Sequence, residues 1–272
     1  MTATTAPASR ARLVDLLGAE WIKFRSLRST AVTLAALVAV YLYLAYRGAQ
    51  GSYQVWESMP PHLRPAFDPA HGVFGGPTWM LAMIVAGAVG AMTVTGEYST
   101  GLIRATFTAV PARRPVAAAK CAVTAAAMTV TGAVIAAGSF EINEAVLAGN
   151  HVSIPVGGAA TVRLLASTTL LFPLCALAGM ALGAVIRNTP ATIVGVCVLF
   201  VFTPFVFKTA STRWTVDAGN AMPFSFFSRL AVAGHGHLVG GAQSVPAAWT
   251  ALTVWLVASV IVVMAVMGWR DV

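Results

Sequence analysis

The side chains best suited to chemistry lie between Glu97 and Lys120, a polar and basic stretch that separates two strongly apolar runs. Ser99 or Thr100 can cap a short helix in this stretch, and Pro111 prevents its smooth continuation. Three apolar side chains fall on one face of the helix and four cations surround it, namely Ile103, Phe107 and Val110, and Arg104, Arg113, Arg114 and Lys120. Such a helix can contact anionic lipid headgroups or bind in the groove of a soluble partner.

Glu97 stands where the preceding apolar run ends, and two roles remain open for it. Its carboxylate can be an ordinary ion-pair partner of Arg104 or Arg113. Alternatively, it can be the latch that fixes the loop helix.

Other stretches that could bind ligands are weaker candidates. No G-x-x-x-x-G-K-[ST] phosphate loop occurs, because none of the three lysines follows a glycine. The glycine-rich stretch 234–241 has Val239 where a dinucleotide loop needs its third glycine. His235 and His237 lack an acidic or thiol partner at metal-ligand spacing. We therefore predict no catalytic residue, metal site or cofactor in this chain, and no enzyme activity.

The composition predicts an all-α, polytopic membrane protein. The 272 residues are 58% hydrophobic and 10% charged, with a mean hydropathy of +0.78. A soluble domain of this length could not bury that much apolar surface. The net charge of +8 does not indicate a nucleic-acid partner, because most basic residues lie near the ends of apolar runs rather than in one stripe.

Six apolar runs are each near the ~20 residues that cross a bilayer core. The predicted spans are 29–46, 77–96, 115–140, 162–186, 191–208 and 246–269. Lys120, Arg163 and Lys208 each fall near a span end, where a long side chain can snorkel to the membrane surface. The absence of ionisable groups near the midplane argues against an ion-coupled transporter and an intramembrane hydrolase.

Residues 1–28 are predicted to form a cytoplasmic tail followed by an amphipathic elbow helix, and residues 29–272 the transmembrane domain. The elbow has apolar residues at helical spacing opposite polar ones, and its candidate interfacial residues are Trp21, Lys23, Phe24, Arg25 and Arg28. A packed cytosolic helix is the alternative. The first apolar run begins only near Ser29 and is long enough to span, so we predict a membrane helix rather than a cleavable signal peptide.

Charge fixes the predicted orientation. Six spans place both termini on one side, where eleven basic and four acidic residues give +7, while six basic and five acidic residues on the other side give +1. By the positive-inside rule both termini are cytoplasmic, and the chain is a multi-pass protein of the cell membrane. The outer segment 221–234 is apolar but too short to span, so it is either re-entrant or interfacial, or an external helix packed on its own loop.

Three features together resemble a known family: the elbow AEWIKFRSLRST at 19–30, the six spans, and the loop E-Y-S-T-G-L-I-R…P-A-R-R-P…K from Glu97 to Lys120. The chain resembles the ABC-2 type permeases, the membrane halves of ABC exporters. The resemblance implies that the 97–114 loop docks on a separate ABC ATPase subunit, which binds ATP and Mg. It also implies that a second permease copy pairs with this one, as a homodimer or heterodimer.

The resemblance also implies roles for individual residues. Gly101, Leu102, Ile103, Arg104 and Phe107 would form the docking helix, and Arg113, Arg114 and Lys120 would anchor its return to the bilayer. The transported substrate does not follow from the resemblance. The competing hypothesis is a membrane protein that does not use ATP, either a passive channel or a structural assembly subunit.

Overall fold

The computed structural model describes residues 12–26, 28–64, 67–68, 70–76, 78–102, 106, 108, 113–150, 158–208, 212–231 and 244–269. These residues form helices and contain no strand. The helices are α1 (Leu13–Ser26), α2 (Arg28–Ser58), α3 (His71–Phe74), α4 (Thr78–Ser99), α5 (Arg113–Gly149), α6 (Ala159–Ile186), α7 (Thr189–Cys197), α8 (Thr203–Lys208), α9 (Arg213–Asn220), α10 (Pro223–Ala231) and α11 (Val245–Trp269). The all-α prediction is confirmed.

Five of these helices are long and apolar enough to cross a membrane: α2, α4, α5, α6 and α11. They coincide with five of the six predicted spans, but α2 and α5 continue well past the predicted ends. A span predicted from hydropathy ends where polar residues begin, whereas the helix itself continues until its backbone hydrogen bonding is interrupted. For α2 this occurs at Ser58, just before Pro60 and Pro61.

The predicted span 191–208 coincides with a helical run in three parts. A π-helical turn, Val198–Phe202, joins α7 to α8, and the apolar helix Thr189–Phe202 is shorter than the other five. Pro204 follows this turn and has no backbone N–H to donate. The Thr203 hydroxyl donates to the Val198 carbonyl at 2.8 Å within the irregular region. The sixth span therefore stays a prediction.

Helix α6 lies at the centre of the bundle and packs against α4, α5, α7, α10 and α11. Its closest neighbour is α4, because glycines on both helices let the backbones touch. A Cβ atom on Gly90 would overlap the carbonyl oxygen of Ala176, and one on Gly179 would overlap that of Gly87. Small residues permit this approach in membrane bundles.

At one end of the bundle, aromatic side chains close the core around Trp79. Its ring lies 5.9 Å from Phe74 and 5.2 Å from Phe227, and its Nε1 donates to the Val73 carbonyl at 3.0 Å. Phe227 belongs to α10, the helix within the predicted 221–234 segment. Helix α10 packs on α6 and α11 rather than only on its own loop, and its Phe226 is fully buried. The helix is thus part of the bundle's packing, and its place relative to the membrane, re-entrant, interfacial or external, stays a prediction.

Candidate functional site

Four charged side chains from three helices meet at the opposite end of the bundle. We call Glu20 and Lys23 of α1, Glu97 of α4 and Lys120 of α5 the four-charge cluster. The Lys120 Nζ lies 2.6 Å from Glu20 Oε2 and 2.8 Å from Glu97 Oε1. The Lys23 Nζ lies 2.7 Å from Glu20 Oε1 and 3.2 Å from Glu97 Oε1. Each ammonium thus contacts both carboxylates, and the cluster is electrically neutral.

The spacing within α1 brings two of these side chains to the same face. Leu16, Glu20 and Lys23 stand four and three residues apart, so they form one stripe along the helix. Leu16 is buried against Val116 and Ala119 of α5. The packing of α1 on α5 therefore carries Glu20 to Lys120, which lies one residue beyond Ala119.

Helices α4 and α5 supply the other two charges on either side of the predicted docking loop. Glu97 lies in the last turn of α4, which ends at Ser99. Lys120 lies two turns into α5, whose Pro115 occupies the first turn, where no intrahelical N–H is needed. The cluster consequently joins α1 to both helices that flank residues 100–112.

Burial makes the pairing energetically important. Lys120 is 3% exposed and Glu20 is 6% exposed. Removing a charge from water costs several kcal/mol in proteins unless an opposite charge with good geometry compensates it. The Lys23 side chain, by contrast, is 31% exposed. Loss of Lys120 would therefore leave a larger uncompensated penalty than loss of Lys23.

The same contacts shift the pKa values of the two α1 residues. Burial acts to raise the pKa of Glu20, but attraction to Lys120 and hydrogen bonds from Lys120 and Lys23 outweigh it, so this pKa is lowered. Burial acts to lower the pKa of Lys23, but the hydrogen bond to Glu20 and attraction to Glu97 outweigh it, so this pKa is raised. Both shifts favour the charged forms.

One sequence prediction is corrected here. Lys120 does not snorkel to a surface, because its ammonium is enclosed by the carboxylates of Glu20 and Glu97. Glu97 pairs with Lys23 and Lys120, while Arg104, one of its expected partners, lies outside the described residues, and both roles considered for Glu97 stay predictions. The missed residue is Glu20. Its position four residues after buried Leu16, and three before Lys23, was the available signal.

Lys23 was predicted to lie on the polar side of an interfacial elbow, and its ammonium contacts Glu20 of α1 and Glu97 of α4. The other elbow residues lie as follows. Trp21 is exposed and stacks on Phe24 with 6.4 Å between the ring centroids, while Phe24 is half-buried. Arg25 and Arg28 are exposed.

The predicted docking loop is described only in part. Ile103, Arg104 and Phe107 lie outside the described residues. Gly101 has a positive φ of 70°, which favours glycine, and Leu102 is exposed. Thr106 Oγ1 donates to the Leu102 carbonyl at 3.0 Å and lies 3.5 Å from the Lys23 Nζ. Arg113 and Arg114 form the first turn of α5.

A cavity of about 530 Å³ adjoins the four-charge cluster. All four charged residues contribute to its lining, together with residues from α1, α2, α4, α5 and the start of α7. We call it the α1–α4 cavity. It can accommodate a small organic molecule, since ligand sites span ~300–1,000 Å³. Among the described residues, no group of three or more His, Cys, Asp or Glu side chains could hold a metal ion.

No protein-family model matches the chain, and no curated protein sequence matches it with statistical significance.

Proposed function

We propose that the chain is the membrane permease subunit of an ATP-driven exporter of the ABC-2 type. The observation that carries the proposal is the four-charge cluster, which joins α1 to the end of α4 and the start of α5. A partner that moved residues 97–114 would pull on both flanking helices and on α1 together. A loop that served only to orient the chain in the membrane would not need such a linkage.

The proposed topology has six spans, with both termini in the cytoplasm and the chain in the cell membrane. The sixth span is the continuous helical run made of α7, the π-helical turn Val198–Phe202 and α8. It covers residues 189–208, and at 1.5 Å per residue this run is about 30 Å long, the thickness of a bilayer core. α1 then lies in the interface on the cytoplasmic side, with exposed Trp21, Arg25 and Arg28 available to lipid.

In the proposed mechanism, the ATP and Mg are bound by a separate ABC ATPase subunit. ATP-driven dimerisation of two ATPases moves the docking helix, and the bundle changes between two packings. A second permease copy completes the export path. The chain itself contributes no step of ATP hydrolysis, in keeping with its lack of a lysine-bearing phosphate loop.

The test measures ATPase copurification and ATP-dependent export for variants of the docking loop. Phe107→Ala should weaken docking by about 2 kcal/mol, roughly thirty-fold in affinity, because a few apolar anchors usually dominate such interfaces. Ile103→Asp should be worse, since it would bury an unpaired carboxylate. Val55→Ala, an exposed apolar position at the other end of α2, serves as the matched control.

The competing hypothesis, a membrane protein that does not use ATP, makes the opposite prediction. There the loop only orients the chain, so the double variant Arg113→Ala and Arg114→Ala should disturb membrane insertion more than Phe107→Ala does. Normal ATPase association and export by both Phe107→Ala and Ile103→Asp, at matched membrane levels, would reject the exporter proposal.

A further inference from the structure

The α1–α4 cavity exists because one helix stands apart from its neighbours. Helix α4 packs along α6 and α7 but makes few contacts with α2 and α5. The space between α4 on one side and α1, α2 and α5 on the other is left open, and the four-charge cluster bridges it. Ser29, Met92 and Ser99 are exposed members of the lining and mark the cavity's mouth.

The lining is amphipathic. Its wall is mainly apolar, with Phe24, Met92 and Val123 on three different helices. Serines and threonines also line it, exposed at Ser29 and Ser99 and buried at Thr95 and Thr124, and the four-charge cluster contributes the charged groups. A ligand that matched this surface would have a hydrocarbon chain and a charged headgroup.

The most exposed charged side chain of the cluster is that of a cation, Lys23. Both Glu20 oxygens accept hydrogen bonds from ammonium groups, and Lys120 is enclosed. The Glu97 side chain is 11% exposed and its Oε1 receives both ammoniums, whereas the Lys23 side chain is 31% exposed. The exposed Arg25 and Arg28 flank the cavity-lining residues Ser26 and Ser29. A headgroup at this end of the cavity would therefore meet a positive potential.

We propose that the α1–α4 cavity binds one anionic glycerophospholipid. The phosphate lies at the mouth beside Lys23 and the neighbouring hydroxyl groups, and one acyl chain lies along Phe24, Met92 and Val123. The apolar wall selects a lipid over a free phosphate ester, and the positive mouth selects an anionic lipid over a zwitterionic one. The proposal is independent of ATP-driven transport, because it concerns occupancy of the cavity and not what moves through the protein.

Gly96 offers a way to block the cavity without disturbing the helices. It lines the cavity, and a Cβ atom built on it meets no atom within 4 Å. Gly96→Leu therefore extends a side chain into the space that the acyl chain needs. Gly51→Leu is the matched control, because Gly51 is also helical and equally unobstructed but does not line the cavity. Thr93→Phe is a second blocking variant on another part of the lining.

The experiment quantifies phospholipid bound to the full-length chain by native mass spectrometry, after exchange into micelles that contain equal amounts of phosphatidylglycerol and phosphatidylcholine. Wild type and Gly51→Leu should retain one phosphatidylglycerol, and Gly96→Leu and Thr93→Phe should retain about tenfold less. Thermal unfolding of each variant in the same micelles verifies that it is folded. Wild-type lipid retention by both folded blocking variants would overturn the proposal.

Two further measurements test whether the site prefers an anionic headgroup and whether it binds a lipid rather than a free phosphate ester. Lys23→Gln should lose about fivefold in preference for phosphatidylglycerol over phosphatidylcholine, because one ammonium near an anionic headgroup is removed. Soluble glycerol phosphate at millimolar concentration should leave the bound lipid in place. Equal retention of the two lipids by wild type, or displacement by glycerol phosphate, would reject an anionic-lipid site.

Discussion

The ammonium of Lys120 is buried between two carboxylates, one from α1 and one from α4. Lys23 contacts the same two carboxylates from a more exposed position. Four charges arranged in this way compensate one another, and the buried members depend most on this compensation. The cluster therefore governs how firmly α1 is attached to the bundle.

Replacement of Lys120 should be the most damaging single change in the cluster. Lys120→Met keeps most of the side-chain volume but leaves Glu20 and Glu97 with only the partly exposed Lys23 as a cationic partner. It should lower the free energy of unfolding by about 3–5 kcal/mol. Lys23→Ala should cost less than about 1 kcal/mol, because its side chain is partly solvated. Equilibrium unfolding in mixed micelles measures both, with exposed Arg114→Ala as control. Equal losses for Lys120→Met and Arg114→Ala would contradict this account.

The attachment of α1 to the rest of the bundle should change only at strongly acidic and strongly basic pH. The pKa of Glu20 is lowered from 4.5 in the folded state, so its contribution is present above pH 4.5 and is lost as pH falls through the lower folded value. The pKa of Lys23 is raised from 10.5, so its contribution is present below pH 10.5 and is lost as pH rises through the higher folded value.

A spin label at Ile22→Cys, an exposed position on α1, reports this attachment. Its mobility should stay constant from roughly pH 5 to pH 10 and rise outside that window. In Glu20→Gln the part of the acid limb that Glu20 contributes should disappear. A mobility change near neutral pH in the wild-type background would show that other groups control α1.

Helix α4 has two different faces. One face carries Gly87 and Gly90 and lies directly on the α6 backbone, while Gly96, nearer the end of the helix, faces open space. The same helix is thus closely packed on one side and separated from α2 and α5 on the other. The glycine face holds α4 against α6, and the separation on the other side leaves the α1–α4 cavity.

A glycine-to-alanine substitution should have opposite effects on stability on the two faces of α4. Gly90→Ala should destabilise the bundle by about 1–3 kcal/mol or more, because its Cβ would overlap the Ala176 backbone, which cannot move without separating the helices. Gly96→Ala meets no atom and should stabilise by up to about 1 kcal/mol, since alanine favours a helix over glycine. Thermal unfolding in micelles compares them directly. If both substitutions destabilised the protein alike, the close contact of α4 with α6 would be refuted.

The number of spans decides whether the two termini lie on the same side of the membrane. The five helices that are long and apolar enough to span would separate the termini if they alone crossed the membrane. Addition of the helical run from Thr189 to Lys208 returns both termini to one side. In that proposed six-span topology, the positive-inside rule would place the side with the cationic excess in the cytoplasm.

Cysteine labelling distinguishes these topologies, in a background without the native Cys121, Cys175 and Cys197. With six spans, Ser58→Cys and Ser244→Cys should react with a membrane-impermeant reagent in intact cells. Ser26→Cys and Trp269→Cys should react only after permeabilisation. All four positions are exposed in the fold. Labelling of Ser26→Cys and Trp269→Cys on opposite sides would establish an odd number of spans.

Hydrophobic composition and chain-breaking prolines act locally along the chain, so the sequence was sufficient to predict the all-α membrane class and the places of the five long apolar helices. The start of α7 is local in the same way, because the Asn188 side chain accepts a hydrogen bond from the Ala191 N–H. Lys23 and Glu97 were both recognised as candidate residues, but as parts of separate features.

Only the packing of distant helices against one another brings these features together in one site. Glu20 and Lys120 are 100 residues apart in sequence, and they meet only because α1 packs on α5. Local periodicity indicates which face of a helix is apolar, but it does not specify which other helix will cover that face. Three further features depend on contacts between distant parts of the chain for the same reason. They are the burial of Lys120, the packing of α10 against α6 and α11, and the open space beside α4.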